Sequence, residues 1–333
     1  MVRAKLQVAL DFTKIEDAIK IADACKDYVD FVEAGTPLIK AVGMSLVKKT
    51  RDENPDKTIV LDMKPMDVGE LEMGLAINAG ADIVLIPGIA PLTTLEECIN
   101  TAKEAGIKVL IDETGMEQLF GKDMMLSRMK DIKARWQDII VDMPEDAIKI
   151  HGYKFKEIGL EAVKKLRERY PDKVIVADLK TISSADKEFE AAFKAGADIA
   201  CIIAATSDEE IKKAVLVAKE HGKKVMADLI GIRDHVGEDG VIKRAKELEN
   251  LGVDYICYHV PIDDQVRGKE VPPESIKNIS AAVTIPVACA GGINPNTAEN
   301  IVKAGAEVII VGGAITKASD PSAVAKKIKH MLS

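Results

Sequence analysis

The chain has 333 residues, of which 47% are apolar and 30% charged, enough to bury one large core or two smaller ones. A formal charge of −8 and a pI near 5.4, with acidic residues spread throughout, leave no basic stripe to neutralise a nucleic-acid backbone. No apolar run approaches the ~18 residues of a membrane span, and MVRAKLQVALDF turns acidic too early for a secretory leader; a soluble, cytoplasmic protein with neither nucleic-acid nor membrane partners is therefore expected.

In chain order, β-branched runs alternate with amphipathic stretches, a rhythm that predicts parallel strands joined by crossover helices. The strand candidates are 6–11, 28–34, 58–64, 82–88 and 107–112, then 146–151, 173–180, 198–204, 224–230, 254–259, 285–290 and 307–312. Twelve strands exceed the eight of a closed barrel of this type. The surplus comes from a repeat: shifting the sequence by 116 positions places Asp62 on Asp178, Lys64 on Lys180, Gly43 on Gly159, Asp112 on Asp228 and Pro55-Asp56-Lys57 on Pro171-Asp172-Lys173 without a gap. Removing one 116-residue repeat from 333 leaves 217, the size of one ordinary barrel. The expected fold is thus a TIM-type (β/α)8 barrel with an additional duplicated (β/α)4 half-barrel segment. Residues 1–113 form the first repeat, with strands one to five, and residues 114–333 form the second, with strands two to eight.

Between the copies, Met125, Met129, Ile132, Trp136 and Ile139 recur at helical spacing and predict a long amphipathic helix over 123–141. The match between copies alternatively makes 138–143 an analogue of the strand at 254–259. Cys25, Cys98, Cys201, Cys257 and Cys289 lie far apart in apolar or helical stretches and read as reduced core thiols.

Chemistry-bearing residues gather at strand ends. Asp62 and Lys64 close the third strand two residues apart, which puts them on one face. Alone they could be solvated loop starts, but Asp11 ends the first strand and Glu33 the second, at the C-terminal ends where barrel active sites assemble. Burying such charges without a cation or an anionic partner is costly, and hard oxygen ligands favour magnesium over zinc. Gly291-Gly292 follows the seventh strand and Gly312-Gly313 the eighth; paired glycines let backbone N–H groups approach an oxyanion, the usual place for phosphate in these barrels. His259 ends the sixth strand, facing the expected mouth or satisfied in the core. His151 with Tyr153 and Lys154 is a candidate second anion site, and His235 lies in a charged segment that reads as a lid or a solvated turn.

The motifs VALD at 8–11, EAGTPLIK at 33–40, LDMKPMD at 61–67, YHVPIDDQ at 258–265, AGGIN at 290–294 and VGGAIT at 311–316 resemble the 3-hexulose-6-phosphate synthases of the orotidine-monophosphate decarboxylase suprafamily. That resemblance implies Glu33 and Asp62 as Mg2+ ligands, Lys64 and His259 as proton-transfer groups, Asp11 orienting the substrate, and Gly291, Gly292, Gly312 and Gly313 on phosphate. It also implies that Asp67, the last Asp of the Asp-x-Lys-x-x-Asp motif, reaches into a neighbouring subunit's site. The implied reaction is aldol addition of formaldehyde to ribulose 5-phosphate through a metal-stabilised enediolate, or its reverse. A catalytically silent sugar-phosphate-binding barrel and a decarboxylase of the same suprafamily are the competing readings.

The second copy departs from the pattern, with Lys149 where Glu33 stands and Ser183 where Asp67 stands. Two assemblies are open: strands one to four of the first copy joined to the last four with 106–219 looped out, or a contiguous barrel from 107–112 onward with 1–105 appended. Either leaves an open half-barrel with strand edges to cover, so a homo-oligomer is expected.

Overall fold

The computed structural model describes residues 3–137, 139–140, 147–150 and 152–332. Its strands are β1 Lys5–Leu10, β2 Phe31–Ala34, β3 Ile59–Leu61, β4 Ile83–Pro87, β5 Lys108–Asp112, β6 Ile148–Ile150, β7 Val174–Thr181, β8 Ile199–Ile203, β9 Lys224–Asp228, β10 Tyr255–His259, β11 Val287–Ala290 and β12 Val308–Val311. Eight of them close a parallel barrel in the order β1-β12-β11-β10-β9-β8-β7-β2, while the other four make an open sheet in the order β5-β4-β3-β6. The barrel with an added half-barrel is therefore the fold, but neither expected assembly is the one formed. The chain leaves the barrel after β2, and the barrel's third strand comes from the second copy.

The two units thus exchange strands rather than follow the two repeats. In the barrel β2 pairs with β7, with Val32 opposite Ile175. In the half-barrel β6, the second copy's equivalent of β2, pairs with β3, with Ile148 opposite Ile59. Both pairings have one register under the 116-residue shift, so backbone pairing alone favours neither partner.

The crossover is held by the helices that follow β2 and β6. Helix Thr36–Gly43 lies against helix Gly152–Gly159, and a side chain on either glycine would run into the other helix: Gly43 faces the Phe155 carbonyl and Gly159 the Ile39 carbonyl. The inserted segment therefore leaves and re-enters the barrel at adjoining helices, which suits an inserted unit. Matching ion pairs repeat on both sides: Lys40–Glu72 at 2.5 Å with Lys156–Glu188 at 3.0 Å, and Arg51–Asp82 with Arg167–Asp198.

Apolar side chains fill the barrel lumen, among them Phe31, Val176, Ile199, Met226, Val308 and Ile310, so the barrel is a packed core and its chemistry is confined to the rim. All five cysteines are buried and unpaired. Helix Lys122–Arg135 is shorter than the periodicity implied; the chain turns at Trp136, and Ile140 bridges in parallel to Val109 on β5. Of 138–143, only residues 139–140 are described, so the alternative strand reading lies mostly outside the described residues. Among the described residues, no helix is long and apolar enough to cross a membrane.

Candidate functional site

The C-terminal ends of the barrel strands surround a cavity of about 320 Å3. Glu33 rises from β2, Asp178 and Lys180 from β7, Asp228 from β9 and His259 from β10, with Asp11 just past β1. Lys180 Nζ lies 2.6 Å from Asp178 Oδ2 and 3.5 Å from Asp228 Oδ2, while His259 Nδ1 lies 2.9 Å from the same Asp228 oxygen. Gln7 donates to Glu33 Oε2 at 2.6 Å, and Thr36 Oγ1 donates to Asp178 Oδ2 at 2.9 Å. These bonds hold the carboxylates facing the cavity.

Lys180 sits in the left-handed region at φ 44°, a strained conformation for a lysine. A β-bulge between Ala177 and Thr181 accompanies it and turns the end of β7 toward the mouth.

So many acids in a buried rim raise one another's proton affinity. Burial first, and then the neighbouring Asp178, lift Asp11 to about 6. Burial, with Asp178 and Asp11, holds Glu33 well above the usual carboxylate range. Burial disfavours charge on Lys180, yet Asp178, Asp228 and Asp67 outweigh it and keep the ammonium protonated well above its ordinary range. Burial likewise opposes the His259 cation, but Asp228 prevails and raises it. The burial penalty on Asp228 is in turn overcome by His259 and Lys180, so its carboxylate stays ionised below the usual range.

One carboxylate comes from outside the barrel. Asp67, in the half-barrel loop after β3, reaches over the mouth to within 3.6 Å of His259 Nε2 and accepts the Ile262 backbone N–H at 2.6 Å. Gly291, Gly292, Gly312 and Gly313 line the other side of the cavity. At Gly291, φ is 107° and a side chain would strike the Val260 backbone, so only glycine fits there.

The structure brings Asp11, Glu33, Asp67, His259 and the four glycines together, but it does not bring Asp62 and Lys64 to them. These two sit in a separate polar cavity of about 210 Å3 on the half-barrel. There Lys64 pairs with Asp62 and Asp112, each at 3.1 Å, and donates to Ser183 Oγ at 3.0 Å. Asp178 and Lys180 take the place expected for Asp62 and Lys64, because β7 rather than β3 lies beside β2. Asp178, Lys180 and Asp228 were all legible as repeat equivalents of Asp62, Lys64 and Asp112; what was missing was which copy faces Glu33.

Of the smaller candidates, His151 and the Tyr153 side chain lie outside the described residues. His235 does not lie in a solvated turn but on helix Ile232–Leu251. Its ring bonds the Ile89 carbonyl of the half-barrel at 3.0 Å, and burial together with Arg128 pushes it down to about 4.

The pattern of the orotidine 5'-phosphate decarboxylase / HUMPS family matches the sequence twice, over residues 4–134 and 133–328. The chain belongs to that family. The double match carries the duplication, since a family member's sequence occurs here in two partial copies. A relative named 3-hexulose-6-phosphate synthase, from Bacillus subtilis (strain 168), is 38% identical over 174 residues, which is 52% of this chain and 80% of that protein. One so named 3-hexulose-6-phosphate synthase 2, from Staphylococcus saprophyticus, is 39% identical over 175 residues, 52% of this chain and 79% of that protein. The crystal structure of 3-hexulose-6-phosphate synthase from Salmonella typhimurium superposes with a TM-score of 0.59 at 22% identity, covering 98% of each chain, a likeness of fold.

The donor set in this family member's mouth suits a hard divalent cation. Two buried oxygens, Asp178 Oδ1 and Gln7 Oε1, have no hydrogen-bond partner, and the surrounding donors are carboxylates. No three acidic, histidine or cysteine side chains are already grouped at ligand spacing among the described residues. Two protein carboxylates with the remaining positions left to water and substrate oxygens is the arrangement magnesium commonly takes.

Proposed function

We propose that this chain catalyses the aldol addition of formaldehyde to ribulose 5-phosphate, giving 3-hexulose 6-phosphate, or the reverse cleavage, as a carbon–carbon lyase of the cytoplasm. The observation that carries this reading is the convergence, in one barrel mouth, of Glu33, Asp178, Lys180, Asp228 and His259 opposite two glycine pairs. The names of its relatives point the same way. An intact set in the barrel favours catalysis over a silent sugar-phosphate-binding role.

In this reading the sugar phosphate rests on the backbone of Gly291, Gly292, Gly312 and Gly313, which fixes C1 near the acidic side of the mouth. Glu33 and Asp178 would hold Mg2+, Asp178 in the place the resemblance assigned to Asp62; bound there, the cation supplies charge stabilisation to the two adjacent substrate oxygens. His259, oriented through Nδ1 by Asp228, would in its neutral form accept on Nε2 the proton that leaves C1. As that C–H bond breaks, negative charge spreads over C1 and the adjoining oxygens, and Lys180 stabilises it. The C1 carbon then bonds the formaldehyde carbon as the C=O π pair moves onto oxygen, and that oxygen takes back from His259 Nε2 the proton that left C1, becoming the new hydroxyl. Asp11 beside Gly312 orients the sugar hydroxyls.

The test is formaldehyde consumption with ribulose 5-phosphate on the purified chain, with Mg2+ and with chelator. Consumption that stops on chelation supports the reading. Release of carbon dioxide from a ketogulonate or orotidine phosphate, without formaldehyde turnover, replaces it with a decarboxylase; sugar-phosphate binding without either reaction replaces it with the silent barrel.

A further inference from the structure

The half-barrel touches the barrel mouth through a network centred on one loop. Asp67 Oδ1 accepts from Ile262 N at 2.6 Å, and Asp263 Oδ2 accepts from Gly69 N at 3.1 Å and from Thr94 Oγ1 at 2.8 Å. At the rim, Arg267 pairs with Glu96 and Glu97, both at 3.1 Å. The segment following His259 is therefore pinned at several points to the half-barrel. Asp67 itself faces the ring.

The contact has the form of an isologous interface, in which residue i of one copy meets j of the other and j meets i. Gly43 meets Phe155 and Gly159 meets Ile39, each pair being the other shifted by 116 residues. The loops after β3 and β7 cross in the same reciprocal way, Asp67 into the barrel mouth and Ser183 onto Lys64 in the half-barrel. Reciprocity fails at chemistry-bearing positions only on the half-barrel side. Lys149 stands there in place of Glu33, and Ser183 points there in place of Asp67. That unit also lacks the glycine pairs of strands seven and eight, so an acidic site in it would have no phosphate cradle.

We propose that the half-barrel is a built-in partner subunit: within one chain it supplies Asp67 to the barrel mouth and holds the 260–267 segment, so that a single copy carries one complete site and needs no second chain. The face that meets the barrel is thereby covered within one chain, so the site itself calls for no homo-oligomer, although β5 and β6 still end an open sheet.

Three measurements test this, and only the first rests on the aldol reading. Asp67→Asn and Lys180→Met are each expected to lower turnover by roughly 10²-fold or more, as losses of groups engaged in proton transfer or charge stabilisation do. When both variants are co-expressed and purified together, activity is expected to remain at the sum of the two. Recovery to about a quarter of wild type, the share of intact sites when two chains assort at random across a shared interface, would overturn the proposal. Independently of any activity, light scattering on the wild-type chain is expected to give one 36.0 kDa species. Hydrogen-exchange protection of 260–267 is expected not to change on dilution, and to fall in Asp67→Asn and in Asp263→Ala. Protection that decays on dilution together with the mass would show that the pinning comes from another copy.

Discussion

Replacing Lys180 by Met, and in a separate protein Lys64 by Met, distinguishes the two Asp-x-Lys copies that are equivalent in sequence. Lys180 is 5% exposed and bridges Asp178 and Asp228 at 2.6 and 3.5 Å, with Asp67 also contributing to its charge. Deleting its ammonium leaves buried carboxylates uncompensated, which costs about 3–5 kcal/mol of stability, and removes a catalytic cation, with about 10²–10⁴-fold of turnover expected to be lost. Methionine keeps the stem's volume and thus limits the loss to the charge. Lys64 is 12% exposed and holds Asp62 and Asp112 at 3.1 Å each, so Lys64→Met should also destabilise, by about 1–3 kcal/mol. Its folded fraction should turn over at a rate within about threefold of wild type, since the lysine faces the other cavity. Denaturant melts at fixed protein concentration give the stabilities, and formaldehyde consumption normalised to the folded fraction gives the rates. The reverse pattern, with Lys64→Met inactive and Lys180→Met active, would refute the strand exchange and with it the site assembled here.

Other consequences can be checked with the same materials. Glu33→Gln should abolish Mg2+-dependent turnover while leaving the affinity for a sugar phosphate, measured by calorimetry, within a few fold, because the glycine pairs lie across the cavity. Asp11 is lifted to about 6, so activity that needs its carboxylate should fall as pH drops through about 6; a pH profile of kcat/KM on Asp11→Asn should lack that acid limb. Gly43→Val places branched carbon against the Phe155 carbonyl and should cost about 1–3 kcal/mol or more by forcing the two helices apart, seen as a lower denaturation midpoint. His259 has a raised pKa in the folded chain, so its contribution to stability is full below about 6.5 and is lost as pH rises through the raised value. In Asp228→Asn that pH dependence of the denaturation midpoint should flatten, since Asp228 is what raises the histidine.

Much of the architecture is readable along the chain because it depends on local signals. The β-branched runs mark all twelve strands, and the 116-residue repeat explains why there are more than eight. Asp11, His259 and the glycine pairs are found at strand ends because the repeat offers no second copy of them, and Glu33 because its repeat equivalent is Lys149. Asp62 and Lys64 fail for the opposite reason: Asp178 and Lys180 carry the same residues at the same spacing, and nothing local says which pair lies beside Glu33. The losses at Lys149 and Ser183 read as damage when each repeat is taken as one unit. Across the exchanged units they fall together on the half-barrel cavity, and the barrel keeps Glu33, Asp67, Asp178 and Lys180 intact.

The strands, the duplication, the family and the kinds of residue at the mouth are all properties of short stretches and their spacing, and so are readable along the chain. Which third strand closes the barrel, and from which unit Asp67 reaches it, is set by contacts between distant parts of the chain. Pairings of β2 with β7 and of β6 with β3 share one register, so the choice falls to long-range packing, where helices Thr36–Gly43 and Gly152–Gly159 meet glycine to carbonyl and the inserted strands form a separate open sheet beside the barrel.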